Sequence, residues 1–308
     1  MSARGVANIF IMIALLFNGA TYARGSTALA MVETGTENLS GVYATLTSLY
    51  RSVSRRLSQT LGLSGYEHGL LEADSSAHHC SAASRPDRLL IIVHGYAPVV
   101  GQFAALIEES KGTEVHVLQF HYDHHHALDE VALDLASAVA GAANCIKPRQ
   151  IEVLGHSLGG LVARRAVEHL ATKELGAGVT LMTIAAPFHG FASAAGTVTM
   201  PVDIGLSESH RDIAALSAFI REPKRLPAGI QHCKLETDEM NADVADLPHD
   251  HVLRLEDQVN PRVDNDPRLV LRRVVAVGHI SAIGARGNVP AAVREFLAAC
   301  RQATASGP

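Results

Sequence analysis

Short apolar runs alternate along this chain with segments whose apolar residues recur at helical spacing. Six of the runs are rich in Val, Ile and Leu, which is typical of strands buried on both faces. They lie at 89–93, 115–120, 151–154, 179–185, 230–236 and 269–277. Helical spacing predicts helices at 128–145, 158–170 and 289–300. The alternation predicts an α/β fold, with a mostly parallel sheet covered by helices on both faces.

The first thirty residues, 1–30, have the pattern of a signal peptide. Arg4 precedes an apolar run at 9–17, and small residues provide a cleavage site near Ala23 or Ala30. The run is shorter than the ~20 residues that span a bilayer. We therefore expect export, to the periplasm or the medium, rather than a permanent transmembrane anchor.

Residues 31–85 form an N-terminal extension ahead of the regular pattern. Apolar residues recur at helical spacing over 39–61, with arginines on the more polar side. We expect this amphipathic helix to pack on its own domain, and peripheral contact with an anionic membrane is the alternative. The main domain is expected at 86–308. Within it, 187–228 is too long for a plain connection between strands and predicts a lid.

Charge and motifs exclude several function classes. The formal net charge is −5 and there is no basic tract, which argues against a nucleic-acid partner. The chain has no P-loop, dinucleotide fingerprint or C-x-x-C pair, and we expect no cofactor. His121–His126 is rich in histidine, but consecutive loop residues cannot all face one ion. We interpret it as a polar loop at the rim of the cleft and expect no metal.

The four cysteines become candidate disulfide partners if the chain is exported. Cys80, Cys145 and Cys233 lie at or before the starts of predicted strands, and Cys300 ends the last predicted helix. A parallel sheet would place all four at one edge, opposite the carboxyl ends of the strands. We expect Cys80–Cys145 and Cys233–Cys300, with buried free thiols as the alternative.

A serine stands where a predicted strand turns sharply into a predicted helix. The turn is Gly155-His156-Ser157-Leu158-Gly159, and its glycines lie where a Cβ would obstruct so tight a bend. This geometry exposes the hydroxyl of Ser157 and points N–H groups of the helix N-terminus toward it. A nucleophile that must stabilise an oxyanion needs this arrangement.

The order of motifs resembles that of an α/β-hydrolase, and most closely that of bacterial lipases and serine esterases. The resemblance rests on His94-Gly95-Tyr96 after the first strand, Gly155–Gly160, Ala186-Pro187-Phe188-His189-Gly190, and a late strand that leads to His279. It implies that Ser157 is the nucleophile. It also implies an oxyanion hole made by the N–H groups of Tyr96 and Leu158, with His94 shaping the loop.

In this fold the acid and the base follow the serine along the chain, in that order. His279 comes after the last predicted strand and is the expected base, with His249 and His251 as alternatives. The acid should follow the strand at 230–236, where Asp238 comes first and Asp243 is the alternative.

The resemblance implies an exported serine hydrolase that cleaves carboxylic esters of small molecules or lipids, through a Ser-His-Asp triad and an acyl-enzyme. An acyltransferase or a thioesterase would share that intermediate. A non-catalytic, membrane-associated binding protein with the same fold is the alternative from another class. Inside the predicted lid, Ser209–Asp212 resembles a capping box that opens a helix through Ile220.

Overall fold

The computed structural model describes residues 69–73, 86–96, 101–111, 114–124, 126–170, 175–191, 208–215, 217–239, 250, 252–285 and 287–305. The predicted signal peptide at 1–30 and the predicted amphipathic helix at 39–61 lie outside the described residues. Among the described residues, no helix combines the length and the apolar character needed to cross a bilayer.

The described residues build a seven-stranded sheet with the spatial order β1-β3-β2-β4-β5-β6-β7. The strands are β1 Gly69–Glu72, β2 Arg88–Val93, β3 Val115–His121, β4 Gln150–His156, β5 Gly178–Ile184, β6 Ile230–Thr237 and β7 Leu269–Val275. Strands β2 to β7 are parallel to their neighbours, and β1 is antiparallel to β3. The predicted strands and the mostly parallel sheet are confirmed.

Helices cover both faces of the sheet. They are α1 Ala104–Ser110, α2 Leu128–Ile146, α3 Leu158–Glu168, α4 Glu208–Asp212, α5 Ala218–Arg221, α6 Leu255–Gln258, α7 Pro261–Asp264 and α8 Ala291–Ala305, with a 3₁₀ turn at Ser281–Ile283. Because side chains alternate along a strand, Ile91 of β2 packs toward α2 and α3, whereas Ile92 packs toward α1 and α8. Each face therefore has its own apolar core.

Strand β1 lies outside the predicted boundary of the main domain, which was set at 86. Gly69–Glu72 pairs along its whole length with β3, so the sheet begins within the predicted extension. The strand is only four residues long and lies at the sheet edge, where alternation is too short to stand out in a sequence.

One disulfide links the sheet to the C-terminal helix. Cys233 of β6 and Cys300 of α8 are bonded, with their Cα atoms 5.9 Å apart, as expected from the sequence. Cys145, at the end of α2, is also disulfide-bonded. Its predicted partner, Cys80, lies outside the described residues.

The predicted capping box at Ser209–Asp212 is wrong. Instead of opening one short helix that runs through Ile220, these residues belong to α4, and the separate helix α5 is capped by Ser217. The Ser209 hydroxyl donates to the carbonyl of His124, and the Asp212 carboxylate accepts from the N–H of Leu128, 2.7 Å away. These side chains tie the 187–228 segment to the body of the domain.

Candidate active site

Ser157 occupies the sharp turn between β4 and α3. Its backbone has φ 55° and ψ −128°, which is a strained conformation for a residue with a side chain. The turn leaves no room for larger neighbours, since a Cβ on Gly155 would lie 2.3 Å from the Gly159 carbonyl oxygen. The N–H of Ser157 donates to the Ile184 carbonyl of β5, 2.9 Å away. Strain of this kind, held by the surrounding sheet, is characteristic of a nucleophile turn.

The two residues predicted to supply oxyanion N–H groups, Leu158 and Tyr96, follow β4 and β2 respectively. Leu158 is the first residue of α3, so its N–H belongs to the helix N-terminus and has no partner within the helix. Tyr96 follows β2, and its ring packs edge-on against that of His124, with centroids 4.4 Å apart. The adjacent Gly95 lies directly against Ser157, because a Cβ placed there would come within 3.0 Å of the Ser157 Cβ.

His94 fixes the peptide that carries the N–H of Tyr96. Its Nε2 accepts from the Tyr122 N–H at 3.2 Å, so the ring proton resides on Nδ1 and is donated to the Gly95 carbonyl at 2.8 Å. The ring also stacks on Tyr122, with centroids 4.1 Å apart. In a trans peptide the C=O and N–H point in opposite directions. The Tyr96 N–H is therefore directed away from the His94 ring, which agrees with the shaping role predicted for His94.

Gly95→Ala is expected to lower kcat/KM for a small ester by about tenfold or more, because the methyl group would crowd the reacting hydroxyl. The added carbon would lie 3.2 Å from the His156 carbonyl oxygen and 3.5 Å from Ser157 Oγ. Steady-state kinetics and thermal unfolding measure the effect. Gly141→Ala is the matched control. Gly141 lies on α2, and a Cβ added there meets nothing within 4 Å. An equal loss of activity in both variants would contradict the close approach at Gly95.

His279 is buried after β7 and is paired with a carboxylate. Its Nδ1 lies 2.7 Å from Oδ2 of Asp250, and its backbone N–H donates to the Asp250 carbonyl at 2.9 Å. An ionised carboxylate only accepts hydrogen bonds, so Nδ1 carries the proton and Nε2 is left as the basic nitrogen. The side chain of His279 is 3% exposed and that of Asp250 is fully buried.

Several donors keep Asp250 ionised although it is buried. Its Oδ1 accepts from the N–H groups of Val252 and Leu253, and its Oδ2 also accepts from the Thr237 hydroxyl. Burial acts to raise the pKa of Asp250, but the charge of His279 and these hydrogen bonds outweigh burial and lower the pKa below its ordinary value. Gln258 in turn holds Thr237, because its side-chain amide pairs with both the N–H and the C=O of that residue.

The acid predicted from the sequence is wrong: the carboxylate on His279 belongs to Asp250 and not to Asp238. The N–H of Asp238 donates to the Val275 carbonyl at 2.9 Å, so this residue still continues the ladder between β6 and β7. Its Oδ1 is buried without a hydrogen-bond partner. Asp243, the alternative acid, lies outside the described residues, as do His249 and His251.

Asp250 does lie in the predicted loop, between β6 and β7, but later than expected. The signal in the sequence is weak. Asp250 accepts from the N–H groups of the second and third residues after it, Val252 and Leu253. This arrangement is an Asx turn, which is a common local motif. Which aspartate pairs with His279 depends on tertiary contacts, and no local sequence pattern distinguishes Asp250 from Asp238 in this respect.

His156, the residue before Ser157, packs against His279. The rings of His156 and His279 are 4.7 Å apart, measured between centroids. Within the described part of the chain, no hydrogen bond joins the Ser157 hydroxyl to His279. Catalytic contacts of this kind often tighten only in the substrate complex.

The described residues of the histidine-rich loop belong to no metal-binding cluster. Where the chain is described, no cluster of three or more His, Cys, Asp or Glu side chains could hold an ion. Tyr122 and His124 are buried, and His126 pairs with Asp123 at 3.7 Å on the exposed side. His125 lies outside the described residues.

The sheet, the strained serine turn and the ordered loops define the α/β-hydrolase fold. Residues 118–216 match the family described as "Putative serine esterase (DUF676)". The solved structure of a mature Bacillus licheniformis lipase is similar, with a TM-score of 0.55, 12% identity and coverage of 77% of this chain and 99% of that chain. A metagenomic carboxyl esterase is similar with a TM-score of 0.50, 14% identity and coverage of 73% and 78%. The resemblance to lipases and serine esterases is thus confirmed. No curated protein matches the sequence significantly.

Proposed function

We propose that this protein is a serine hydrolase that cleaves carboxylic esters. The observation that carries the proposal is the Asp250–His279 pair, with a 2.7 Å hydrogen bond, beside a serine held in a strained strand-to-helix turn. A buried carboxylate that fixes the imidazole tautomer leaves Nε2 free to accept a proton. The family match supports the same class of reaction.

The proposed reaction proceeds through an acyl-enzyme. The Ser157 oxygen attacks the ester carbonyl carbon while His279 Nε2 takes the hydroxyl proton, and the N–H groups of Leu158 and Tyr96 hold the oxyanion. Collapse of this intermediate breaks the bond to the alcohol, which leaves with the proton from His279. Water then gives a proton to His279 and attacks the acyl carbon. The carboxylic acid departs, and Ser157 regains its proton. No cofactor takes part in these steps.

We propose that the substrate is a small-molecule or lipid ester and that the segment 187–228 borders its site as a lid. Helix α4 is tied to the loop before α2, and Asn260 donates to the Ile220 carbonyl of α5 at 3.3 Å. The same segment meets Tyr96 indirectly, because Ser209 holds the His124 carbonyl and the His124 ring packs on Tyr96. The proposed lid therefore contacts, through His124, the side of the site where Tyr96 is proposed to supply an oxyanion donor.

We also propose that the protein is exported. The disulfide between Cys233 and Cys300 is typical of proteins that fold in an oxidising compartment. The N-terminal pattern of a signal peptide supports the same conclusion.

A fluorophosphonate probe tests the reaction class directly. We expect the full chain to be phosphonylated stoichiometrically at Ser157, located by peptide mass spectrometry, because only an activated serine attacks such a probe. Ser137, which lies on the exposed side of α2, is the internal control and should stay unlabelled. Well-folded protein that fails to react would indicate a non-catalytic binding protein.

A p-nitrophenyl ester series of increasing acyl length then tests the substrate class. Hydrolysis that varies with chain length supports an esterase or a lipase. Matched thioesters and added acceptor alcohols show whether the acyl-enzyme is used instead for thioester hydrolysis or acyl transfer.

A further inference from the structure

The histidine that precedes Ser157 is buried between the serine turn and the loop that carries His279. His156 is 3% exposed, and its Nε2 lies 3.0 Å from the backbone carbonyl oxygen of His279. Its ring also meets that of Phe103, with centroids 6.3 Å apart. We propose that His156 is a positioning residue, which holds the base at a set distance from the nucleophile. This inference rests on the proposed function.

The hydrogen bond has a defined direction. A carbonyl oxygen only accepts, so the proton resides on Nε2 of His156 and is donated to His279. Burial, followed by the charge of His279, lowers the pKa of His156 to about 3. The charge of Asp250 acts in the opposite direction and raises the pKa by less. His156 is therefore neutral near pH 7. It offers a fixed donor and adds no positive charge beside the imidazolium that forms on His279 during the reaction.

The backbone of His279 is hydrogen-bonded on both sides of its Cα atom. Its N–H donates to the Asp250 carbonyl, and its C=O accepts from His156. With the ring also bonded to the Asp250 carboxylate, neither the peptide groups nor the imidazole of His279 can rotate without breaking a buried hydrogen bond. Loss of the donor would leave the buried carbonyl of His279 without a hydrogen bond, which is unfavourable.

His156 is the direct bridge between the two reacting groups. In the sheet, β4, which ends at His156, is separated from β7 by two strands, β5 and β6. Without the His156 bond, the position of His279 relative to Ser157 depends on the packing of all four strands and on the loop after β7. With it, the side chain of the residue adjacent to Ser157 is hydrogen-bonded directly to the backbone carbonyl of His279. A shift of about 1 Å at such a site can change the rate about 100-fold.

The serine at the neighbouring position is itself anchored, which makes the bridge effective. The Ser157 N–H donates to Ile184 of β5, and the Ser157 carbonyl accepts from the N–H of Gly160 at 2.9 Å. The nucleophile cannot follow His279 if that residue moves. Its distance from the base is therefore set by the bond that His156 makes.

The test compares His156→Leu with His156→Gln in the full chain. Leucine removes the donor, whereas the glutamine amide nitrogen can take the place of Nε2. We expect the leucine variant to lose about 10- to 100-fold in the rate of phosphonylation at Ser157 and in kcat, with KM changed less, and the glutamine variant to recover most of the loss. Total probe incorporation, measured at the endpoint, corrects every rate for the amount of folded protein.

His232→Leu is the matched control, because His232 is also a fully buried histidine of the sheet but bonds to Thr183 and not to His279. We expect it to lower the melting temperature without slowing phosphonylation per active site. The pH–rate profiles of the His156 variants should keep the shape of the wild type, since His156 does not take up the proton.

Each failure has its own signature. A wild-type protein that does not react with the probe overturns the proposed function. A reactive wild type whose His156→Leu variant reacts equally fast overturns the positioning role alone. Equal loss in the leucine and glutamine variants, with normal melting temperatures, also overturns it, because the donor would then not be what matters. Loss of the acidic limb of the pH profile in either variant would make His156 the base.

Discussion

Ser157→Ala and His279→Ala are each expected to lower kcat by about a million-fold, and the double variant is expected to lose no more than either single one. The reason is that the two side chains act in one step: without the base the hydroxyl is not activated, and without the hydroxyl the base has nothing to deprotonate. A residual rate, about 10³- to 10⁴-fold above that in water, should remain from the N–H groups of Leu158 and Tyr96.

The measurement is steady-state ester hydrolysis, and thermal unfolding checks that each variant is folded. Full activity in His279→Ala would show that another residue takes the proton. Additive losses in the double variant would show that Ser157 and His279 do not work together. Ser157→Ala should leave the fold unchanged, because Ser157 makes no side-chain hydrogen bond within the described residues. His279→Ala removes the partner of the buried Asp250 carboxylate, so we expect a lower melting temperature for that variant.

Asp250→Asn is expected to lower kcat by about 10³- to 10⁴-fold, whereas Asp238→Asn should change it by less than about threefold. Asparagine retains the size of Asp250 but presents an amide to His279 Nδ1, so the imidazole loses the partner that fixes its tautomer. The hydrogen bonds from Val252 and Leu253 can still reach the amide oxygen. The variant should therefore fold.

Asp238→Asn is the matched control because both aspartates lie in the same connection between β6 and β7. The sequence alone favoured Asp238, and the structure joins Asp250 to His279. A large loss in the Asp238 variant with little loss in the Asp250 variant would restore the first assignment. Circular dichroism and melting temperatures exclude unfolding as the cause in either case.

The sheet could be predicted because parallel strands buried on both faces have continuous apolar runs. Leu89–Val93 stands out for this reason, and the serine turn is encoded locally by Gly155 and Gly159. Strand β7 is instead a partly exposed edge strand whose apolar run is interrupted by Arg272 and Arg273. The same signal is absent from β1, which is short and lies at the edge. Local sequence therefore encodes the serine turn and the apolar strands around it.

The acid could not be predicted because its identity is a property of the chain path between β6 and β7. Asp238 is nearest to the end of β6, but hydrogen bonding to Val275 keeps it on the ladder. Asp250 lies twelve residues further along the chain than Asp238 and is bonded to both the ring and the N–H of His279. The role inferred for His156 could not be predicted either. It depends on the hydrogen bond to His279, which is a contact between residues far apart in the sequence.

The bond between Cys233 and Cys300 closes a loop with a sequence separation of 67 residues, and that loop contains Asp250 and His279 but not Ser157. Closing a loop of this length removes about 4 kcal/mol of conformational entropy from the unfolded chain. In a reducing cytosol the segment that carries Asp250 and His279 would lose this covalent constraint. Redox conditions during production therefore bear on the stability of the segment that holds the proposed acid and base.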